Sequence, residues 1–155
     1  MANLKEGRFR GRSLNRVDEK GRLRLPKKYR EVLRNHYSDS LVITTTGRCL
    51  VAYPPELWDE IEEKSSNLSL FNPQQRAFLR HVISSAEECE FDKQGRILIP
   101  PLLREAAGLS GNADVMLAGM LTSFEIWEKG AWDQQQEWSK ENYQGIAEQI
   151  SEFGI

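Results

Sequence analysis

Cysteine and histidine are scarce in this 155-residue chain, with two of each. Cys49 and Cys89 are too few and too far apart for a zinc site or a disulfide framework. They read as packed, reduced thiols of a cytosolic protein. His36 and His81 each stand without a second His, Cys or carboxylate at ligand spacing, so no metal site is expected. No apolar run approaches the length that crosses a bilayer, so no membrane partner is expected. Met1 to Arg12 is polar and basic with no apolar stretch, so no secretory signal is expected. Catalytic signatures are missing too: no nucleophile elbow, no phosphate-binding Gly-Lys-Ser/Thr loop, no paired-histidine metal motif. Thr44-Thr45-Thr46-Gly47-Arg48 lacks the lysine and the glycine spacing of a phosphate loop and reads as a hairpin turn. Asp18 and Asp92 could be imagined as an acid pair, but each sits beside an arginine, which favours plain ionisation. The expectation is a protein that is not an enzyme and needs no cofactor.

What is present is 39% hydrophobic and 28% charged residues, enough chain to bury a core. The net charge of -2 hides an asymmetry. Residues 1–40 carry 12 basic and 5 acidic side chains, and residues 41–155 carry 9 and 18. A basic head on an acidic body points to a polyanion touched at one place.

The chain also repeats itself. Shifted by 74 residues without a gap, Asp18, Gly21, Arg22, Pro26, Arg30, Glu31, Trp58 and Asp59 fall on Asp92, Gly95, Arg96, Pro100, Arg104, Glu105, Trp132 and Asp133. Apolar residues match between these points, Leu23 with Ile97 and Leu25 with Ile99 among them. Chance would scatter such identities rather than set them at turns and element boundaries, so the chain is a duplication.

Each copy reads the same way. Ser13 to Val17 is of strand type, and Asp-x-x-Gly is a turn in which Gly21, or Gly95 in the second copy, takes positive φ. Arg22 to Leu25 alternates as a half-buried strand does. Pro26 opens a helix that continues to Asn35. Leu41 to Thr45 and Cys49 to Tyr53 form two strands around a turn. The second copy predicts a strand to Phe91, a turn at 92–95, a strand at 96–99, a helix at 100–108 and strands at 113–118 and 123–128. Pro54-Pro55 starts a helix reaching Leu68, and Asn72-Pro73 caps another. A tail helix from Trp132 to Phe153 carries Trp138, Tyr143, Ile146, Ile150 and Phe153 as a stripe that packs on its own domain or on a neighbouring subunit. The divisions expected are a first repeat at 9–58, connecting helices at 59–82, a second repeat at 83–132 and a C-terminal helix at 133–155. One copy alone is small for a stable unit, so two halves interleaved about a pseudo-two-fold axis would share one core.

The chemistry concentrates at the first turn. Arg8, Arg10, Arg12, Arg16, Lys20, Arg22, Arg24, Lys27, Lys28, Arg30 and Arg34 form a cluster suited to phosphates. Arginine can also present its planar fork to guanine in the major groove. Arg22 is assigned to base or phosphate contact, and Arg16, Lys20, Arg24 and Lys27 to phosphates. Asp18 and Asp92, with Gly21 and Gly95, are assigned to holding the turns. Arg30 with Glu31, and Arg104 with Glu105, read either as a repeated buried pair or as DNA contacts. The second copy has Gln94, Leu98, Pro101 and Leu102 where the first has Lys20, Arg24, Lys27 and Lys28, so the first motif is expected to dominate. A protein-binding scaffold and an RNA-binding module are the competing classes. Only Phe9 and Tyr29 lie among the first copy's cations, which gives little platform for stacking bases.

Two copies of Asp-x-x-x-Arg-apolar-x-apolar-Pro, at Asp18 to Pro26 and Asp92 to Pro100, resemble the MraZ family of bacterial transcription regulators. Phe9-Arg10-Gly11, Lys28-Tyr29-Arg30 and Phe124-Glu125-Ile126-Trp127 extend the resemblance over roughly residues 9 to 140. It implies an α+β fold of duplicated AbrB-like swapped-hairpin β-barrel halves, related by a pseudo-two-fold and flanked by helices. It also implies a ring-shaped homo-oligomer that binds double-stranded DNA at direct repeats upstream of its own cell-division and cell-wall gene cluster. The usual action is repression, in the cytoplasm and at the nucleoid. The motif arginines, here Arg22 and Arg96, are the implied DNA contacts.

Overall fold

The computed structural model describes residues 7–155, so the first half of the segment read as signal-free lies outside the described residues. The first copy contributes β1 (Arg12–Val17), β2 (Arg22–Arg24), α1 (Lys27–His36), β3 (Ser40–Thr45) and β4 (Leu50–Tyr53), followed by α2 (Pro55–Ser65) and α3 (Pro73–Phe78). The second contributes β5 (Glu87–Glu90), β6 (Arg96–Leu98), α4 (Pro101–Ala106), β7 (Ala113–Gly119) and β8 (Phe124–Glu128), followed by α5 (Lys129–Glu141) and α6 (Tyr143–Ile150). The 74-residue shift carries β2 onto β6 residue for residue and the start of α2 onto the start of α5.

All eight strands form one antiparallel sheet in the order β5-β3-β4-β8-β7-β1-β2-β6. A bridge between Phe91 and Ile97 joins its two ends, so the sheet curls into a nearly closed barrel. The pairing shows how the halves interleave. β1 pairs with β7 of the other copy, and β5 reciprocally with β3. The pseudo-two-fold axis passes through two contacts of equivalent residues, Leu23 opposite Ile97 and Val51 opposite Glu125. This is the swapped-hairpin arrangement.

The exchange follows from what each half must bury. Leu23, Leu41, Ile43, Leu50, Ile97, Ile99, Val115, Leu117, Phe124 and Ile126, drawn from both copies, make one core with 0% exposure. A lone half would leave one side of that cluster in water, at roughly 25 cal/mol for each Å² of apolar surface. Phe9, Tyr29 and Phe124 lock one end. Their ring centroids lie 4.9–5.4 Å apart, and the Tyr29 hydroxyl donates to the Gly11 carbonyl at 2.8 Å.

The helices depart from expectation in two places. α3 is capped by Asn72, whose side chain accepts from the Gln74 and Gln75 amides, and then loosens into a π-helical turn at Leu79–Ile83. The tail expected as one helix is two, broken at Asn142. Trp132 alone of the α5 residues is buried, against Trp127; of the stripe, Ile146 is half-buried and the rest is exposed. Trp138, Tyr143 and Phe153 are 54%, 66% and 76% exposed.

Candidate nucleic-acid interface

The two Asp-x-x-Gly-Arg turns are built alike. The Asp18 carbonyl accepts from the Gly21 amide at 2.9 Å, closing the turn. Asp18 Oδ1 accepts from the backbone amides of Lys20 and Arg22 at 3.0 and 2.9 Å. Its Oδ2 accepts from Arg22 Nε at 2.6 Å. In the second turn Asp92 repeats each bond, ending in Arg96 Nε at 3.0 Å. The Arg22 amide, with its guanidinium adding to it, holds the Asp18 carboxyl below the ordinary carboxylate range against the opposing effect of desolvation. The Arg96 amide does the same for Asp92. Each aspartate is thus spent on turn geometry and on aiming one arginine by its ε nitrogen.

Gly21 and Gly95 have φ of +86° and +74°, which the turn requires. An arginine of the opposite half lies over each turn. Arg104 Nε donates to the Ile99 carbonyl at 2.9 Å and its guanidinium packs on Gly21; Arg30 Nε donates to the Leu25 carbonyl at 3.2 Å and faces Gly95. Among the described residues neither forms an ion pair with its neighbouring glutamate, one of the two readings open from the sequence. Glu31 lies 3.8 Å from Lys27 instead. The repeated Arg-Glu therefore reflects the swap, with one helix arginine closing over the partner half's turn.

The register of β2 on β6 sets Arg22 opposite Leu98 and Arg24 opposite Arg96. Leu23 and Ile97 between them face the core, so these four side chains share the outer face of a two-stranded ribbon. Arg16 and Arg12 continue that face on β1, both exposed. Arg16 Nη1 reaches Asp114 at 3.3 Å, and Arg12 lies over the Trp132 ring at 5.0 Å. Lys20 stands at the first turn's tip, and Lys27 at the start of α1. The ribbon brings Arg22, Arg24 and Arg96 together, with Arg16 and Lys20 beside them; Lys27 belongs to the adjoining helix. Reading the sequence by itself missed the direct opposition of Arg24 and Arg96, though the 74-residue shift already marks Leu98 as the counterpart of Arg24.

Among the described residues no three His, Cys, Asp or Glu side chains gather as a metal site, and no helix is long and apolar enough to cross a membrane.

Comparison of the sequence with known proteins finds a family match along nearly the whole chain. The family model described as "MraZ protein, putative antitoxin-like" matches twice in tandem, at residues 9–81 and 82–154. A protein of Syntrophobacter fumaroxidans named transcriptional regulator MraZ is 58% identical over 95% of this chain and 97% of its own length. Relatives of the same name in Shewanella loihica and Nitrosospira multiformis are 42% and 39% identical, each over 95% of this chain and 99% of their own. The name these relatives share is that of a regulator, not of an enzyme.

Proposed function

This chain belongs to the MraZ family, and from that premise we propose that it is a transcription regulator that binds double-stranded DNA in a sequence-specific way through its outer ribbon. Its action is repression at direct repeats upstream of its own cell-division and cell-wall gene cluster, in the cytoplasm at the nucleoid. The observation that carries the reading is the Arg22 guanidinium. It is fixed from behind by Asp18, about one third exposed, and set on a thin ribbon beside Arg24 and Arg96. A two-stranded ribbon fits the major groove, and an arginine so held can address guanine O6 and N7 with little further loss of freedom. Arg16, Lys20, Arg24 and Lys27 hold phosphates and supply salt-dependent affinity. Arg96 is aimed in the same way, but its own copy carries Gln94 and Leu98 where the first carries Lys20 and Arg24, so it contributes less.

One ribbon with so few base contacts binds weakly. A ring-shaped homo-oligomer facing successive repeats gains affinity through effective concentration. The exposed stripe of Trp138, Tyr143 and Phe153 supports such self-association, because contacts between unlike surfaces of identical chains generate rings when they close.

The test is a gel-shift titration at two salt concentrations with DNA from upstream of the protein's own gene. Stepwise shifts that outcompete scrambled DNA and weaken with salt are expected. Arg22→Ala should lose about 5- to 150-fold, the worth of one good base contact, and Arg96→Ala less. Equal affinity for scrambled DNA, or indifference to Arg22, would overturn the reading and favour a protein-binding role.

A further inference from the structure

The ribbon is built on a pseudo-two-fold axis, yet its outer face is not symmetric. A symmetric ribbon would read a near-palindrome, with each half addressing one half of the site. Here the axis passes between Leu23 and Ile97 and relates Arg22 to Arg96 and Arg24 to Leu98. The first pair is matched in kind and the second is not. Leu98 is 55% exposed, so it is an outward-facing leucine and not a misplaced core residue. One step along from the Val17–Leu23 and Phe91–Ile97 pairings, the next strands continue the contrast. Arg16 lies beside Arg24, whereas its counterpart Glu90, also exposed, lies beside Leu98. Around Leu98 opens a cleft lined by Glu87, Glu88, Glu90 and Pro100. Across the outer face the strands therefore carry Arg16 on β1, Arg22 and Arg24 on β2, Arg96 and Leu98 on β6, and Glu90 on β5.

We propose that Leu98 and Glu90 are specificity determinants that give the ribbon a direction. The inference rests on the DNA reading above. The half carrying Arg16, Lys20, Arg22 and Arg24 lies against the duplex. The half carrying Leu98, Glu90 and Arg96 is held less closely, through Arg96, because a carboxylate set against a phosphate backbone is repelled and a leucine neutralises nothing. The unit bound by one subunit is then asymmetric.

Selection of bound duplexes from a random pool tests this and requires no operator to be known. The wild type should enrich a non-palindromic unit. Scrambling one half of that unit should weaken binding at least tenfold, and scrambling the other half less than threefold. Glu90→Arg with Leu98→Arg, which installs the first copy's residues at exposed positions, should enrich a near-palindrome. The same variant should steepen the salt dependence by about two counterions. A palindromic unit selected by the wild type would overturn the inference while leaving DNA recognition intact. Failure of the wild type to enrich any sequence would overturn sequence-specific recognition, and the inference with it.

Discussion

Replacing Gly21 by alanine probes the interleaving of the halves more sharply than any core substitution. An L side chain in the left-handed region costs about 1–2 kcal/mol. At Gly21 a Cβ would also stand 2.5 Å from Arg104 Nε and 2.7 Å from its Cζ. Arg104 is not loose there, since its Nε is bonded to the Ile99 carbonyl. The guanidinium must swing away and give up a charge-assisted hydrogen bond of about 1.5–3 kcal/mol. The expected cost is their sum, about 2.5–5 kcal/mol, a large part of an ordinary domain's stability. Gly95 is the pseudo-equivalent residue, but the nearest atom to a Cβ there is Arg30 Nη1 at 3.5 Å, an ordinary contact. Gly95→Ala should therefore cost only the backbone term, about 1–2 kcal/mol.

Urea unfolding of both variants at one protein concentration measures the difference, with oligomer linkage held constant. A double-mutant cycle assigns its cause. In an Arg104→Ala background, Gly21→Ala should cost no more than Gly95→Ala. Equal costs for the two glycines in the parent chain, or a Gly21→Ala cost that ignores Arg104, would refute the packing of one half's helix on the other half's turn.

Asp18→Asn keeps the size of the side chain and removes the charge that accepts three donors. The folded Asp18 carboxyl titrates below the ordinary aspartate value, so its contribution is complete above about pH 4 and is lost as pH falls through the lowered value. The variant should show a shallower loss of stability on acidification, read from unfolding midpoints between neutral and acid pH; an unchanged acid limb would sink the assignment. Burial pushes the Cys49 thiol up to about 11 and the Cys89 thiol up to about 12, and both side chains are packed away from solvent. A thiol-reactive dye at pH 8 should leave the folded protein unlabelled and label both residues in denaturant. Stoichiometric labelling of the native protein would contradict that burial.

Most strands were legible in the sequence because duplication states each pattern twice. Arg22-Leu23-Arg24 and Arg96-Ile97-Leu98 alternate alike, and the structure places a strand at each. The interleaving of the halves was legible from the need for a shared core, but which strands pair was not. Whether β1 joins β7 or β3 leaves its alternation unchanged, and long-range pairing decides it. The Arg30–Glu31 pair failed for a local reason: adjacent residues on a helix do not face each other, so the repeat had to encode contacts made elsewhere. The tail's periodicity marked an apolar stripe correctly, but periodicity does not say what covers it.

The site divides along the same line. Asp18, Gly21 and Arg22 were readable from the turn signature, because their bonds close within five residues. Leu98 was visible only as a missing cation. Its meaning depends on β2 pairing with β6, which sets it opposite Arg22 and breaks the symmetry one residue from the axis. Core positions of the two copies stay apolar because one barrel interior constrains both. Outer positions share no such constraint, so Arg24 and Leu98 could diverge while Leu23 and Ile97 did not. Divergence confined to the outer ribbon changes what the surface meets without replacing a core side chain, and the two residues proposed to give the ribbon its direction are both exposed.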